Sequence, residues 1–189
     1  MRLDEFMPEY EFNEVHAVMI HAPRERVFKA MRELSSSELS PLTFLLMAIR
    51  NLPARLFKRD IVGSFQPGPF MEQMYKGGFI PLADAADSEI VFGMIGQFWK
   101  LVWGEDPDIP DPQAFLAFDD PAFAKVAANL FVENVDGSVR CSTETRIHVV
   151  DKSTWRKFAF YWRIISMGSG FIRVMWLRSI KRKAEKENG

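Results

Sequence analysis

Two strand candidates and one helix candidate carry the side chains of this chain that could do chemistry. In the run from Cys141 to Val150, alternate positions are Cys141, Thr143, Thr145, Ile147 and Val149 on one side, and Ser142, Glu144, Arg146, His148 and Val150 on the other. A strand sends successive side chains to opposite faces, so one face is small and apolar and the other charged. The charged face can look to water while the apolar face joins the core. Alternatively, Glu144 and Arg146 enter a wet cavity and orient a polar group of a ligand, because buried charges must be paired. Glu89 shares a face with Val91, Gly93, Ile95, Gln97 and Trp99. At the rim of an apolar cavity such a carboxyl could act as a general base, whereas at a strand end it is simply solvated. Tyr161, Trp162 and Ile165 stand on the C-terminal helix candidate, where Tyr161 could offer its hydroxyl to a cavity. Aromatic residues at helical spacing are also ordinary core, and Trp99 and Trp103 carry the same two readings.

No strong catalytic signature accompanies these residues. The chain lacks His-Glu-x-x-His, Cys-x-x-Cys, a phosphate loop, Gly-x-Ser-x-Gly and a dinucleotide fingerprint. The histidines are His16, His21 and His148. His16 and His148 fall on strands able to approach each other, but two imidazoles without a third ligand make a poor metal site. Neither a metal nor a cofactor is expected.

Composition narrows the function further. Lysine plus arginine number 24 against 25 acidic residues, so bulk charge favours neither nucleic acid nor a membrane as partner. Acidic residues dominate 105–136, and basic residues dominate from Asp151 onward. The basic end falls at a helix C-terminus, where it complements the helix dipole, so no nucleic-acid surface is inferred. The one cysteine, Cys141, excludes an internal disulfide framework and fits a reducing compartment. Met1-Arg2-Leu3-Asp4-Glu5 does not read as a signal peptide, and the longest apolar run, Leu42 to Ile49, is far short of a bilayer span. A cytoplasmic protein without stable membrane insertion is expected, as one domain over residues 1–189. The 17 phenylalanines and 10 methionines can fill a core or line an adaptable apolar pocket.

The elements that must position these groups follow from periodicity. Residues 10–20 alternate as a strand, with Tyr10, Phe12, Glu14, His16, Val18 and Ile20 on one face. Pro23 marks a helix start carrying Val27, Phe28, Met31 and Leu34. A second helix is predicted over 40–58, with Pro53 breaking or kinking it. Residues 60–86 are rich in glycine, proline and large apolar residues with weak periodicity, which fits a lid or binding loop, or an irregular connection packed on the core. A strand is predicted from Ser88 to Val102, with Gly93 and Gly96 marking a bend or a close approach. After an acidic loop from Gly104 to Pro112, a short strand is predicted at Phe115–Phe118. A hairpin then joins Ala124–Glu133 to Val139–Val150 through the Asp136-Gly137 turn. Asp151 or Ser153 caps a last helix over roughly 153–186. Its apolar face comprises Phe158, Tyr161, Trp162, Ile165, Ile172, Met175, Trp176 and Ile180, and Gly168-Ser169-Gly170 predicts a kink or short break.

The strand–Ala22-Pro23–helix entry with Val27-Phe28, the strand Glu89 to Trp99, the hairpin ending Ser142-Thr143-Glu144-Thr145-Arg146 and the long closing helix together resemble the START-like helix-grip superfamily, also called SRPBCC. That superfamily includes pollen allergens, lipid-transfer domains and aromatic polyketide cyclases. The resemblance spans nearly the whole chain. It implies an α+β fold in which a curved antiparallel sheet grips a long C-terminal helix. It also implies an internal cavity for a hydrophobic small molecule. Glu89, Trp99, Glu144, Arg146, Tyr161, Trp162 and Ile165 are the candidate ligand-binding residues. Carriers and enzymes share this scaffold, so three functions stay open. One is binding of a lipid, polyketide or aromatic compound. The second is a cyclase- or dehydratase-type enzyme acting through Glu89, Glu144, Arg146 or Tyr161. The third is a protein-interaction module with a filled core. Ligand identity and oligomeric state are left open.

Overall fold

A computed structural model of the chain describes residues 1–39, 43, 68–100 and 107–186. The helix expected over 40–58 therefore lies, apart from Thr43, outside the described residues, as do Trp103 and the first part of the acidic loop. In chain order the helices are α1 (Leu3–Phe6), α2 (Arg24–Arg32), α3 (Phe70–Lys76), α4 (Pro112–Ala117) and α5 (Lys152–Lys186). The strands are β1 (Phe12–Ile20), β2 (Ile80–Ala85), β3 (Glu89–Gly96), β4 (Ala124–Val135) and β5 (Ser138–His148).

The strands form one antiparallel sheet in the order β1-β5-β4-β3-β2. The β4–β5 hairpin turns at Asp136 and Gly137, both in the left-handed region at φ 47° and 79°, as a tight two-residue turn requires. That hairpin fixes the register, and alternation then divides the side chains between two faces.

One face receives the helices. Ile90 and Phe92 of β3, Ala128, Leu130 and Val132 of β4, and Val139 and Cys141 of β5 pack with α2, α3 and the C-terminal half of α5. The N-terminal half of α5 sets Phe158 against Phe98, Ala124, Ile147 and Val149. α5 lies chiefly over β1 and against α2, and reaches β5. The layout is the expected α+β one: an antiparallel sheet with a long C-terminal helix on one face, fitting a helix-grip fold.

The opposite face is covered too. Leu3 and Met7 from the N-terminal segment, with Phe115 of α4, pack on Leu82, Val91, Ile95 and Ala127. Gly93 makes this possible, because a Cβ there would lie 2.7 Å from the Phe115 ring and 2.8 Å from Leu82.

Several local expectations are corrected. Phe115–Phe118 is not a strand: Asp111 Oδ1 accepts the Ala114 N–H at 2.7 Å and Pro112 opens the turn, so α4 forms there. Within the weakly periodic stretch 60–86, the described residues form α3 and β2. Pro69 stands before α3, Phe70, Met71 and Met74 are buried by it, and Gly77 ends it. β2 then pairs with β3, with a register irregularity between Pro81 and Ala83. α5 runs unbroken through Gly168-Ser169-Gly170. Asp151 is its cap, accepting N–H bonds from Ser153 at 2.8 Å and Thr154 at 2.9 Å.

Candidate functional site

The sequence-predicted residues divide between the two faces of the sheet. Glu89, Glu144 and Arg146 stand on the face away from α5, in a network that holds the N-terminal segment. Glu89 is 2% exposed. Its carboxylate accepts the backbone N–H of Arg2 at 2.6 Å and of Leu3 at 3.2 Å, and the Asn129 amide at 2.7 Å. An acid at the start of α1 satisfies donors that a helix leaves unbonded. Asn129 Oδ1 in turn accepts the Glu144 N–H at 2.8 Å. Glu144 Oε1 accepts from Arg146 Nε at 2.7 Å and from Asn13 at 3.0 Å. Arg146 Nη1 donates to the Met7 carbonyl at 2.9 Å, pairs with Asp4 at 2.8 Å, and its guanidinium lies 4.9 Å from the Tyr10 ring centre. Burial works against the Arg146 charge, but hydrogen bonds to Glu144 and Asp4 outweigh it, and its pKa is raised. On β5, Glu144 and Arg146 thus lie away from the interior under α5 and are largely shielded from water, while His148 on the same face is more exposed. Asp4, Met7 and Tyr10 of the N-terminal segment cover Arg146. An open depression of about 340 Å³ adjoins this network, bordered by Met1, Val15, Phe131 and the Glu133–Arg140 pair.

Trp99, Tyr161, Trp162 and Ile165 belong to the other side. Trp99, Tyr161 and Trp162 surround Phe158 at ring-centre distances of 6.2, 5.8 and 6.0 Å, and Phe12 joins them 5.2 Å from Phe158. Phe158 is fully packed, whereas Trp99, Tyr161, Trp162 and Ile165 are half-buried. The structure therefore gathers these aromatic residues at the N-terminal end of α5. Glu89, Glu144 and Arg146 are gathered elsewhere.

The same interface holds a charged set that spacing alone did not single out. Glu14 and His16 lie on the α5 side of β1, between Phe12 and Val18. Glu14 Oε1 is 2.8 Å from His16 Nε2, and Glu14 Oε2 accepts from Arg173 Nη1 of α5 at 2.9 Å. All three side chains are more than three-quarters withdrawn from solvent. Gly170 makes room for them, since a Cβ there would fall 2.1 Å from Glu14 Oε1. The signal was present in the sequence: two ionisable residues interrupt an otherwise apolar strand face, and a glycine stands one turn before an arginine on the closing helix. Thr145, the partner of Glu14 across the β1–β5 ladder, has a buried Oγ1 without a hydrogen-bond partner among the described residues, as does the Trp176 indole nitrogen. Chemically, this side combines an aromatic wall, a cation, a carboxylate and an imidazole.

His16 and His148 do not meet. His16 pairs with Glu14, and His148 Nδ1 lies 3.3 Å from Glu11 Oε1. Among the described residues no three His, Cys, Asp or Glu side chains cluster as metal ligands.

No protein-family model matches the chain, and no curated protein matches it. Among solved structures, the chain is similar to TTHA0849 from Thermus thermophilus, at 7% identity and a TM-score of 0.35, over 94% of this chain and all of that one. It is also similar to Ara h 8.0201, at 12% identity and a TM-score of 0.28, over 93% and 98% of the two chains. At these scores the overlaps are loose, and the fold and the site rest on the chain's own geometry.

Proposed function

We propose that this chain is a START-like helix-grip protein that binds a hydrophobic small molecule, such as a lipid, polyketide or aromatic compound, between α5 and the sheet. The observation that supports this reading is the Glu14–His16–Arg173 set inside that interface. Taking three ionisable groups from water is costly, and apolar residues of similar size would hold the helix at least as well. A ligand with an apolar body and a polar end gives the set a use. In this reading Trp99, Tyr161, Trp162 and Ile165 contact the body, while Arg173, His16 and Thr145 Oγ1 orient the polar end. Glu89, Glu144 and Arg146 are committed to the N-terminal clamp and are not assigned to the ligand.

Titration with an environment-sensitive lipophilic dye tests the proposal. The wild type should bind saturably with one-to-one stoichiometry. Met94→Trp, which adds bulk on the α5 side of β3, should block binding without changing the thermal melt. Absence of saturable binding by the wild type would sink the reading.

The Glu14–His16 contact supports a second reading, an acid–base enzyme of the cyclase or dehydratase type, with Glu14 orienting the imidazole. Native mass spectrometry separates the two. A carrier should co-purify with the same lipophile in the wild type and in His16→Gln. An enzyme should accumulate a chemically different one in the variant.

A further inference from the structure

Helix α5 has a second apolar face. Phe160, Ile164, Met167 and Phe171 recur at four, three and four residues, which places them in one narrow arc of the helix. They are 72, 63, 80 and 43% exposed. This arc points away from the one that carries the buried Phe158, Ile172 and Ile180. A helix apolar on two opposite sides buries one in its own protein and leaves the other for an outside phase. Large contiguous apolar patches on a protein surface mark contact sites.

The charges around the arc identify the partner. Arg156, Lys157, Arg163 and Arg178 flank or continue it and are exposed. No hydrogen bond or ion pair joins the side chain of any of them to another described residue. From Lys152 to Lys186 the only acidic residue is Glu185, which bonds the His21 N–H at 2.9 Å at the far end of the helix. Bulky apolar side chains at the centre and cations at the rim are the pattern of a helix lying in a bilayer interface. A nucleic acid would meet the cations but gain nothing from four desolvated apolar side chains. A two-fold contact with a second copy would face this basic rim with itself, at the cost of like-charge repulsion. Among the described residues no helix is long and apolar enough to cross a membrane, so the contact lies on the surface.

We propose that the outer face of α5 docks on an anionic lipid bilayer. Phe160, Ile164, Met167 and Phe171 enter the boundary between headgroups and acyl chains, and Arg156, Lys157, Arg163 and Arg178 engage lipid phosphates and carboxylates. The inference does not depend on the ligand reading, because the residues involved lie on the opposite side of the helix.

The test is co-sedimentation of the full chain with vesicles of phosphatidylcholine alone and of phosphatidylcholine mixed with phosphatidylserine. The wild type should bind the mixed vesicles, and added salt should weaken binding. Phe160→Ser with Ile164→Ser should lower the partition coefficient about tenfold or more, because two of the four apolar anchors are removed. Arg156→Glu with Arg163→Glu should lower binding to mixed vesicles by a similar factor. Lys76→Glu, an exposed charge change on α3, should leave it unchanged. All the altered side chains are exposed, so the thermal melts should superimpose, and dye binding in the interior should survive in each. Equal binding to neutral and anionic vesicles would overturn the proposal, as would none to either. A wild-type dimer in sedimentation velocity that Phe160→Ser dissociates, without vesicle binding, would assign the face to self-association instead.

Discussion

Gly170 of α5 and Glu14 of β1 share one volume: a Cβ on the glycine would lie 2.1 Å from Glu14 Oε1 and 2.9 Å from His16 Nε2. The carboxylate is itself held by His16 and Arg173, so it cannot swing aside without losing a charge-assisted contact. Gly170→Ala should therefore destabilise the protein by about 1 kcal/mol or more, despite the better helix propensity of alanine. In a Glu14→Ala, His16→Ala background the sign should reverse, with a gain of up to about 1 kcal/mol. Urea unfolding of the wild type and the three variants measures the coupling, and the same effect in both backgrounds would contradict this account.

The clamp at Glu89 predicts a cost confined to one edge. Glu89→Ala leaves the Arg2 and Leu3 amides and Asn129 without their acceptor in a buried place. A loss of about 2–3 kcal/mol is expected. Amide exchange over residues 1–7 should quicken first, and Glu89→Gln should lie between the variant and the wild type. Unchanged exchange at the N-terminus would show that the clamp is inert.

Phe158 and Phe160 are two residues apart with opposite surroundings, at 1% and 72% exposure. Phe158→Ala should cost about 3–5 kcal/mol and Phe160→Ala under about 0.5 kcal/mol. Chemical denaturation checks both, and similar losses would place the inner face of α5 wrongly.

Asp151 supplies a pH response at the start of α5. Hydrogen bonds from the Ser153 hydroxyl and then the Thr154 amide lower its carboxyl from 3.8 to about 2. A carboxyl with a depressed folded pKa stabilises fully above its unfolded value and loses that contribution as pH falls towards the folded one. The Ser153 and Thr154 amides should therefore lose protection, relative to their intrinsic exchange rates, as pH falls below 3.8, with a midpoint near 2 by NMR. Asp151→Asn should keep the cap and abolish the titration.

Cys141 responds at the other end of the scale. Burial raises its thiol from 9.0 to about 12. For a raised folded pKa the contribution is complete below the unfolded value and is lost as pH rises between 9.0 and about 12. At pH 8 a thiol reagent should modify Cys141 only through unfolding, at a rate that climbs with urea in step with the unfolding curve. Rapid labelling of the native protein would contradict its burial.

Much of this architecture follows from local pattern. Alternation in β1, β3 and β5, the Asp136-Gly137 turn, Pro23, the Asp151 cap and the three-and-four repeat on α5 are each decided by neighbours within a few residues. The pairing of Glu144 with Arg146 on one strand face was legible for the same reason. So, in principle, was α4, because Asp111-Pro112 is a helix start. The strand reading failed by weighing Phe115 and Phe118 over that cap.

Tertiary structure decided what each face meets. Alternation separates Glu144 and Arg146 from Thr143 and Thr145, but does not say which set lies under α5. That depended on Asp4 and Met7 reaching Arg146, and on Glu89 receiving the start of α1. Gly168-Ser169-Gly170 favours a break by propensity alone, yet burial of Ile172, Leu177 and Ile180 carries the helix through it. Gly170 was needed for a carboxylate more than a hundred residues away in the chain. Periodicity shows that Phe158 and Phe160 look in different directions. Only the packing of the sheet makes one of them core and leaves the other at the surface, because a side chain's environment is set by contacts distant in sequence, whereas its direction is set by its own backbone.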